Sequence, residues 1–110
     1  GVKALLKEVE DFEILMTADN GRIFLDLLSG TGELPDVILA DLNMREMNGL
    51  ELTEIIQKKY PSIKIIILSI FDHERFICRM IEAGVAGYLS KNCDIEEVIL
   101  AIRTVYKARG

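Results

Sequence analysis

Three short apolar runs, each leading to a polar residue and each separated from the next by a helix-like stretch, constrain this chain more than any other feature. Val37-Ile38-Leu39-Ala40 leads to Asp41, Ile63 to Leu68 leads to Ser69, and Ala86 to Ser90 leads to Lys91. The middle run is dense in β-branched residues, which suit the pleated surface of a strand. Continuous apolar runs without alternation mark strands expected to be buried on both faces, as in parallel sheets covered by helices.

The intervening stretches repeat with a helical period. Val2, Leu5, Leu6 and Val9 recur at i, i+3, i+4 and i+7 and predict a first helix. Phe12 to Ala18 predicts a strand ending at Asn20-Gly21. Ile23, Phe24, Leu27 and Leu28 predict a helix that stops at Gly30. Gly49 to Tyr60 reads as a helix with Leu52, Ile55 and Ile56 inward and Pro61 beyond its end. Asp72 can cap a helix running to Ala83, with Gly84 as its stop. Asp94 opens the clearest helix, whose stripe is Ile95, Val98, Ile99, Ile102, Val105 and Tyr106; Asp94 and Glu97 have the spacing of a capping box. Helices alternating with strands predict right-handed crossovers and one parallel α/β sheet clad on both sides.

Composition narrows the function classes. The chain has 110 residues, half of them hydrophobic, enough for one domain with a core that needs neither metal nor disulfides. No apolar run reaches the roughly 20 residues of a membrane span, so no membrane partner is expected. A net charge of −5 argues against nucleic-acid binding by this domain itself. Cys78 and Cys93 lack metal-site spacing and read as reduced thiols buried as small hydrophobes, which fits a cytoplasmic protein. His73, the single histidine, reads as a solvated residue in the first turn of a helix, and Met16, Met44, Met47 and Met80 as packing or loop residues.

Sites in parallel α/β sheets form at the carboxyl ends of the strands. Asp41, Ser69 and Lys91 would then converge on one sheet edge. Each by itself is weak evidence, since an Asp there is most often a cap or turn former, a Ser a turn residue and a Lys a solvated side chain. Together they place a carboxylate, a hydroxyl and an ammonium where a phosphoryl group could be accepted. The carboxylate would be the nucleophile, and the other two would stabilise charge on the phosphoryl oxygens.

The wording of these segments resembles the receiver domains of bacterial two-component response regulators. The likeness runs through Leu34-Pro35-Asp36-Val37-Ile38-Leu39-Ala40-Asp41-Leu42-Asn43-Met44, continues in Met47-Asn48-Gly49 and Ile67-Leu68-Ser69, and ends in Ala83-Gly84-Val85-Ala86-Gly87-Tyr88-Leu89-Ser90-Lys91. It is strongest to the NarL/FixJ (LuxR-type) subfamily, whose members usually join a receiver to a C-terminal helix-turn-helix. The resemblance implies a flavodoxin-like, doubly wound parallel sheet with strand order 2-1-3-4-5, and residues 1–110 as one receiver domain. It also implies that Asp41 is the phosphorylation site. Mg²⁺ would be bound by Asp41 and the backbone carbonyl of Asn43, Ser69 would follow the phosphoryl group, and Lys91 would pair with Asp41. Tyr88 would report the state by an inward or outward rotamer, where an ordinary strand tyrosine would simply keep its hydroxyl wet. The implied partners are a sensor histidine kinase, a second copy in a homodimer, and DNA reached only through an output domain outside this chain. Such a domain takes part in its own phosphorylation without being classed as an enzyme.

Departures from the family pattern temper the expectation. Receivers begin with a strand followed by two adjacent acids that bind Mg²⁺. Here Gly1 to Leu6 resembles the family's first helix, so the domain is expected to be N-terminally incomplete, without that strand and acid pair. Glu8, Glu10, Asp11 and Glu13 lie too far along to replace the pair. Arg45 stands where the family usually has Pro, Asn92 follows Lys91 where many receivers have Pro, and Ile70 follows Ser69 where many carry a small residue. Its bulk would narrow access to Asp41. The rival expectation is a phosphorylation-independent pseudo-receiver that serves as a dimerisation module. A flavodoxin-like enzyme would need a phosphate-cradling loop, and no such motif is found.

Overall fold

The computed structural model describes residues 9–10, 12–13, 21–41, 49–70 and 74–108. Four helices and three strands fill these segments: α1 (Gly21–Gly30), β1 (Val37–Asp41), α2 (Gly49–Lys59), β2 (Lys64–Ser69), α3 (Glu74–Ala83), β3 (Gly87–Ser90) and α4 (Ile95–Ala108). The strands pair in parallel in the order β1-β2-β3, with Ala40 opposite Ile67 and Ile67 opposite Tyr88. A helix lies between each pair of strands, which is the connection a parallel pair requires. The ladders extend slightly beyond the strands: Lys64 N–H donates to Asp36 O at 3.0 Å and Ala86 N–H to Ile65 O at 2.8 Å.

The three strands and the helices from α1 onward follow the sequence reading within a residue or two. The helix of residues 2–9 and most of the Phe12–Ala18 strand fall outside the described residues; Val9 and Phe12 form a turn, with Phe12 N–H donating to Val9 O at 3.1 Å. The proposed cap Asp72 and His73 also lie outside them, as do Met16, Met44 and Met47.

The sheet is covered on both faces, because alternate strand residues point to opposite sides. Ile38, Ala40, Ile65 and Ile67 join Leu28 of α1, Leu52 and Ile56 of α2 and Met80 of α3 in one cluster. Ile66 serves the other face and is fully buried there with Val98 and Val105 of α4, the helix that packs on all three strands. Gly87 belongs to the same contact: a Cβ on it would lie 3.3 Å from Ile66 and 3.8 Å from Val105. The sequence expectation of equal burial on both faces holds for β2 but not for β1. In β1, Ile38 and Ala40 are buried while Val37 and Leu39 are only half-buried, so its outer face is more thinly covered by the described residues.

The cysteines correct the sequence reading. Cys78 is exposed on α3, and Cys93, in the turn after β3, is half-buried. Helix phase accounts for Cys78: Met80 of α3 enters the core, and a position two residues earlier points away from it. Burial, reinforced by the neighbouring Glu97 and Asp94 carboxylates, pushes the Cys93 thiol above its ordinary value.

Candidate functional site

The parallel register brings the three expected residues to one edge. Asp41 is the last residue of β1, Ser69 the last of β2, and Lys91 directly follows β3. Asp41 pairs with Leu68 and Ser69 with Ser90, so the carboxyl ends of the strands are level to within a residue. Lys91 carries the β2–β3 ladder one step further: its backbone N–H donates to Ser69 O at 3.0 Å. β1 and β3 are separated by β2, about 9.6 Å at two strand spacings. The long lysine side chain crosses that gap, and Lys91 Nζ forms an ion pair with Asp41 Oδ2. Both side chains remain about one third exposed, at 37% for Lys91 and 36% for Asp41, so the pair is open to an incoming group.

Ser69, beneath them, is 1% exposed. Tyr88 sits on the face of β3 that packs against the core cluster, next to Ile67 in register. Its hydroxyl oxygen is shielded from solvent and has no hydrogen-bond partner among the described residues. The shielded hydroxyl differs from the wet hydroxyl of an ordinary strand tyrosine. Ile70, expected to crowd the site, is 61% exposed at the same edge, so most of its bulk projects into solvent.

The turn that carries Lys91 holds a residue the sequence reading did not single out. Ser90 Oγ accepts a hydrogen bond from Asn92 N–H at 3.1 Å, and Ser90 O accepts one from Cys93 N–H at 3.1 Å. A serine directly before the residue of interest, followed by Asn and a helix cap, is the signal that could have revealed this turn.

The donor chemistry of the edge suits a hard cation only in part. Asp41 supplies one carboxylate oxygen donor of the kind Mg²⁺ takes. Asn43, the second expected ligand, lies outside the described residues. Among the described residues no group of three His, Cys, Asp or Glu side chains converges to hold a metal ion. No helix of the described residues is long and apolar enough to cross a membrane.

Comparison with known proteins identifies the family. The response regulator receiver domain family matches residues 1–103. The transcriptional regulatory protein DegU of Brevibacillus brevis is 35% identical over 105 residues, which cover 96% of this chain and 44% of DegU. The oxygen regulatory protein NreC of Staphylococcus epidermidis is 38% identical over 109 residues, covering 97% of this chain and 49% of NreC. The chain thus spans about half the length of these curated relatives. The crystal structure of a DNA-binding response regulator of the LuxR family from Staphylococcus aureus superposes with a TM-score of 0.82 at 32% identity, covering 94% of this chain and 88% of that one. A parallel α/β sheet clad on both faces, the match over nearly the whole chain and LuxR-type relatives make one case: the chain belongs to the response regulator receiver domain family, in its NarL/FixJ, LuxR-type branch.

Proposed function

We propose that this domain is a phosphoacceptor switch in which Asp41 receives a phosphoryl group from the phosphohistidine of a sensor kinase. The observation that carries the reading is the Lys91–Asp41 ion pair at the common end of the strands, with Ser69 in the strand between. An Asp41 carboxylate oxygen would attack phosphorus as the phosphorus–nitrogen bond to the kinase imidazole breaks. The departing nitrogen keeps the bonding electron pair and regains a proton from solvent. The ammonium of Lys91 would offset charge on the phosphoryl oxygens, and the Ser69 hydroxyl would turn toward them. Receiver domains bind Mg²⁺ in general; here Asp41 and the Asn43 carbonyl would hold it, and it would supply further charge neutralisation. Tyr88, coupled to Ser69 along the sheet edge, would change the surface offered to partners. By likeness to DegU and the LuxR-family regulator, the response would pass to a DNA-binding output domain outside this chain. It would act in the cytoplasm and through a homodimer.

The test is phosphate uptake. The full-length protein incubated with acetyl phosphate and Mg²⁺ should gain one phosphoryl group by intact mass, and Asp41→Asn in the same protein should gain none. Lys91→Met should keep its fold, because an exposed ion pair contributes only about 0–1 kcal/mol, yet lose most of the uptake. Equal uptake by the Asn variant would refute the assignment of Asp41. No uptake by the parent protein, with dimer formation intact, would favour the phosphorylation-independent interaction module.

A further inference from the structure

We propose that Ser90 is a positioning residue for Lys91, acting through the backbone of Asn92. This inference rests on the phosphoacceptor reading for its meaning, but its geometry stands apart from that reading. Lys91 must place its ammonium across β2 onto Asp41, and its own backbone is held by the bond from its N–H to Ser69 O at 3.0 Å. Just beyond that bond the chain leaves the sheet. A side chain this long has many rotamers, so the direction in which it leaves depends on the φ and ψ of Lys91 and on the peptide that follows.

Two bonds close that freedom, and both end on Ser90. Cys93 N–H donates to Ser90 O at 3.1 Å, which makes Ser90–Cys93 a hydrogen-bonded four-residue turn with Lys91 and Asn92 at its centre. Asn92 N–H donates to Ser90 Oγ at 3.1 Å, a serine turn nested inside the first. The second bond spans Lys91: its acceptor is the side chain before the lysine and its donor the N–H after it, so it ties the peptide that follows Lys91 back to Ser90. The far end of the turn is anchored as well, since Cys93 is half-buried and Asp94 O accepts from Glu97 N–H at 3.0 Å in the first turn of α4. Of these contacts, the Ser90 hydroxyl is the one a single substitution removes without touching the core, because Ser90 is exposed.

The experiment reads the Lys91 amine directly. Trace acylation with a small amine-reactive ester, mapped by peptide mass spectrometry, compares Lys91 with Lys59 and Lys107, which are exposed in the same molecule. In the parent protein Lys91 should label more slowly than either. Ser90→Ala should raise Lys91 labelling by about 2- to 10-fold, the worth of one net hydrogen bond, with Lys59 and Lys107 unchanged. Ser90→Thr, which keeps the hydroxyl, should restore the parent rate. Asn92→Pro, which removes the donor, should raise Lys91 labelling and make a further Ser90→Ala change silent, as expected of two residues acting through one bond. Phosphoryl uptake from acetyl phosphate should fall in Ser90→Ala by a similar factor and recover in Ser90→Thr. Unchanged Lys91 labelling in Ser90→Ala would overturn the proposal, as would equal effects of Ser90→Ala in the parent and Asn92→Pro backgrounds. If Asp41→Asn takes up phosphate as well as the parent does, the acceptor reading fails while the labelling still decides whether Ser90 holds Lys91.

Discussion

Asp41, Lys91 and Tyr88 show how differently single residues contribute to this domain. The Asp41–Lys91 pair is about a third exposed, so it adds little to stability. Tyr88 presents the opposite case. Its ring packs on the core, but its hydroxyl is shielded without a partner among the described residues. A buried polar group left unsatisfied costs about 1–3 kcal/mol. Tyr88→Phe keeps the ring and removes that cost, so it should raise the stability of the domain by about 1 kcal/mol. Urea unfolding checks this through the transition midpoint. A midpoint below the parent's would mean that the hydroxyl makes a stabilising bond.

At the scale of elements, the end of α3 is a tightly constrained junction. Gly84 adopts a φ of 102°, a left-handed conformation that a side chain rarely tolerates. Its N–H is shared between Met80 O at 3.1 Å and Ile81 O at 3.0 Å, and Val85 N–H also reaches Met80 O at 3.1 Å. From α2, Gln57 Nε2 donates to Gly84 O at 3.0 Å, and its side-chain carbons stand 3.0 Å from where a Cβ would be. The helix therefore ends, turns into β3 and is tied to α2 within three residues. Gly84→Ala meets both the wrong φ and the Gln57 side chain. It should destabilise the domain by roughly 1–3 kcal/mol, measured as a lower melting midpoint. Gln57→Ala in the same chain should recover part of that loss by removing the clash. If Gly84→Ala alone is neutral, the junction is less constrained than this geometry requires.

Over the whole molecule, β2 is the strand the fold depends on. It is central in the described sheet, and Ile65, Ile66 and Ile67 are each 0% exposed while facing alternate sides. Ile66 with Val98 and Val105 joins α4 to the sheet; Ile65 and Ile67 join it to α1, α2 and α3. Truncating such a residue costs about 2–5 kcal/mol, against a total stability of about 5–15 kcal/mol for a domain. Ile66→Ala should therefore lower stability by about that amount and loosen α4 first. Hydrogen exchange would show it as lost protection across residues 98–105 before the α2 amides change. Uniform loss of protection would show instead that the two faces unfold as one unit.

Much of this architecture was legible in the chain itself. The runs Val37–Ala40 and Ile63–Leu68 marked strands because length and β-branching leave few other uses for them, and the α4 stripe marked a helix because its period is 3.6. The polar residues ending those runs pointed to a site, since parallel strands bring their carboxyl ends to one edge. Other features depended on neighbours remote in sequence. Burial of Val37 and Leu39 is set by what covers β1. The shielded hydroxyl of Tyr88 is set by packing against the core cluster, and the exposure of Cys78 by the phase at which Met80 enters the core. The meeting of Lys91 and Asp41 depends on two strand pairings that bring the ends of β1 and β3 level. Local patterns specify elements because propensity and periodicity act over a few residues. The tertiary structure alone decided which side chains meet, because registers and helix contacts are settled only when distant segments pack together.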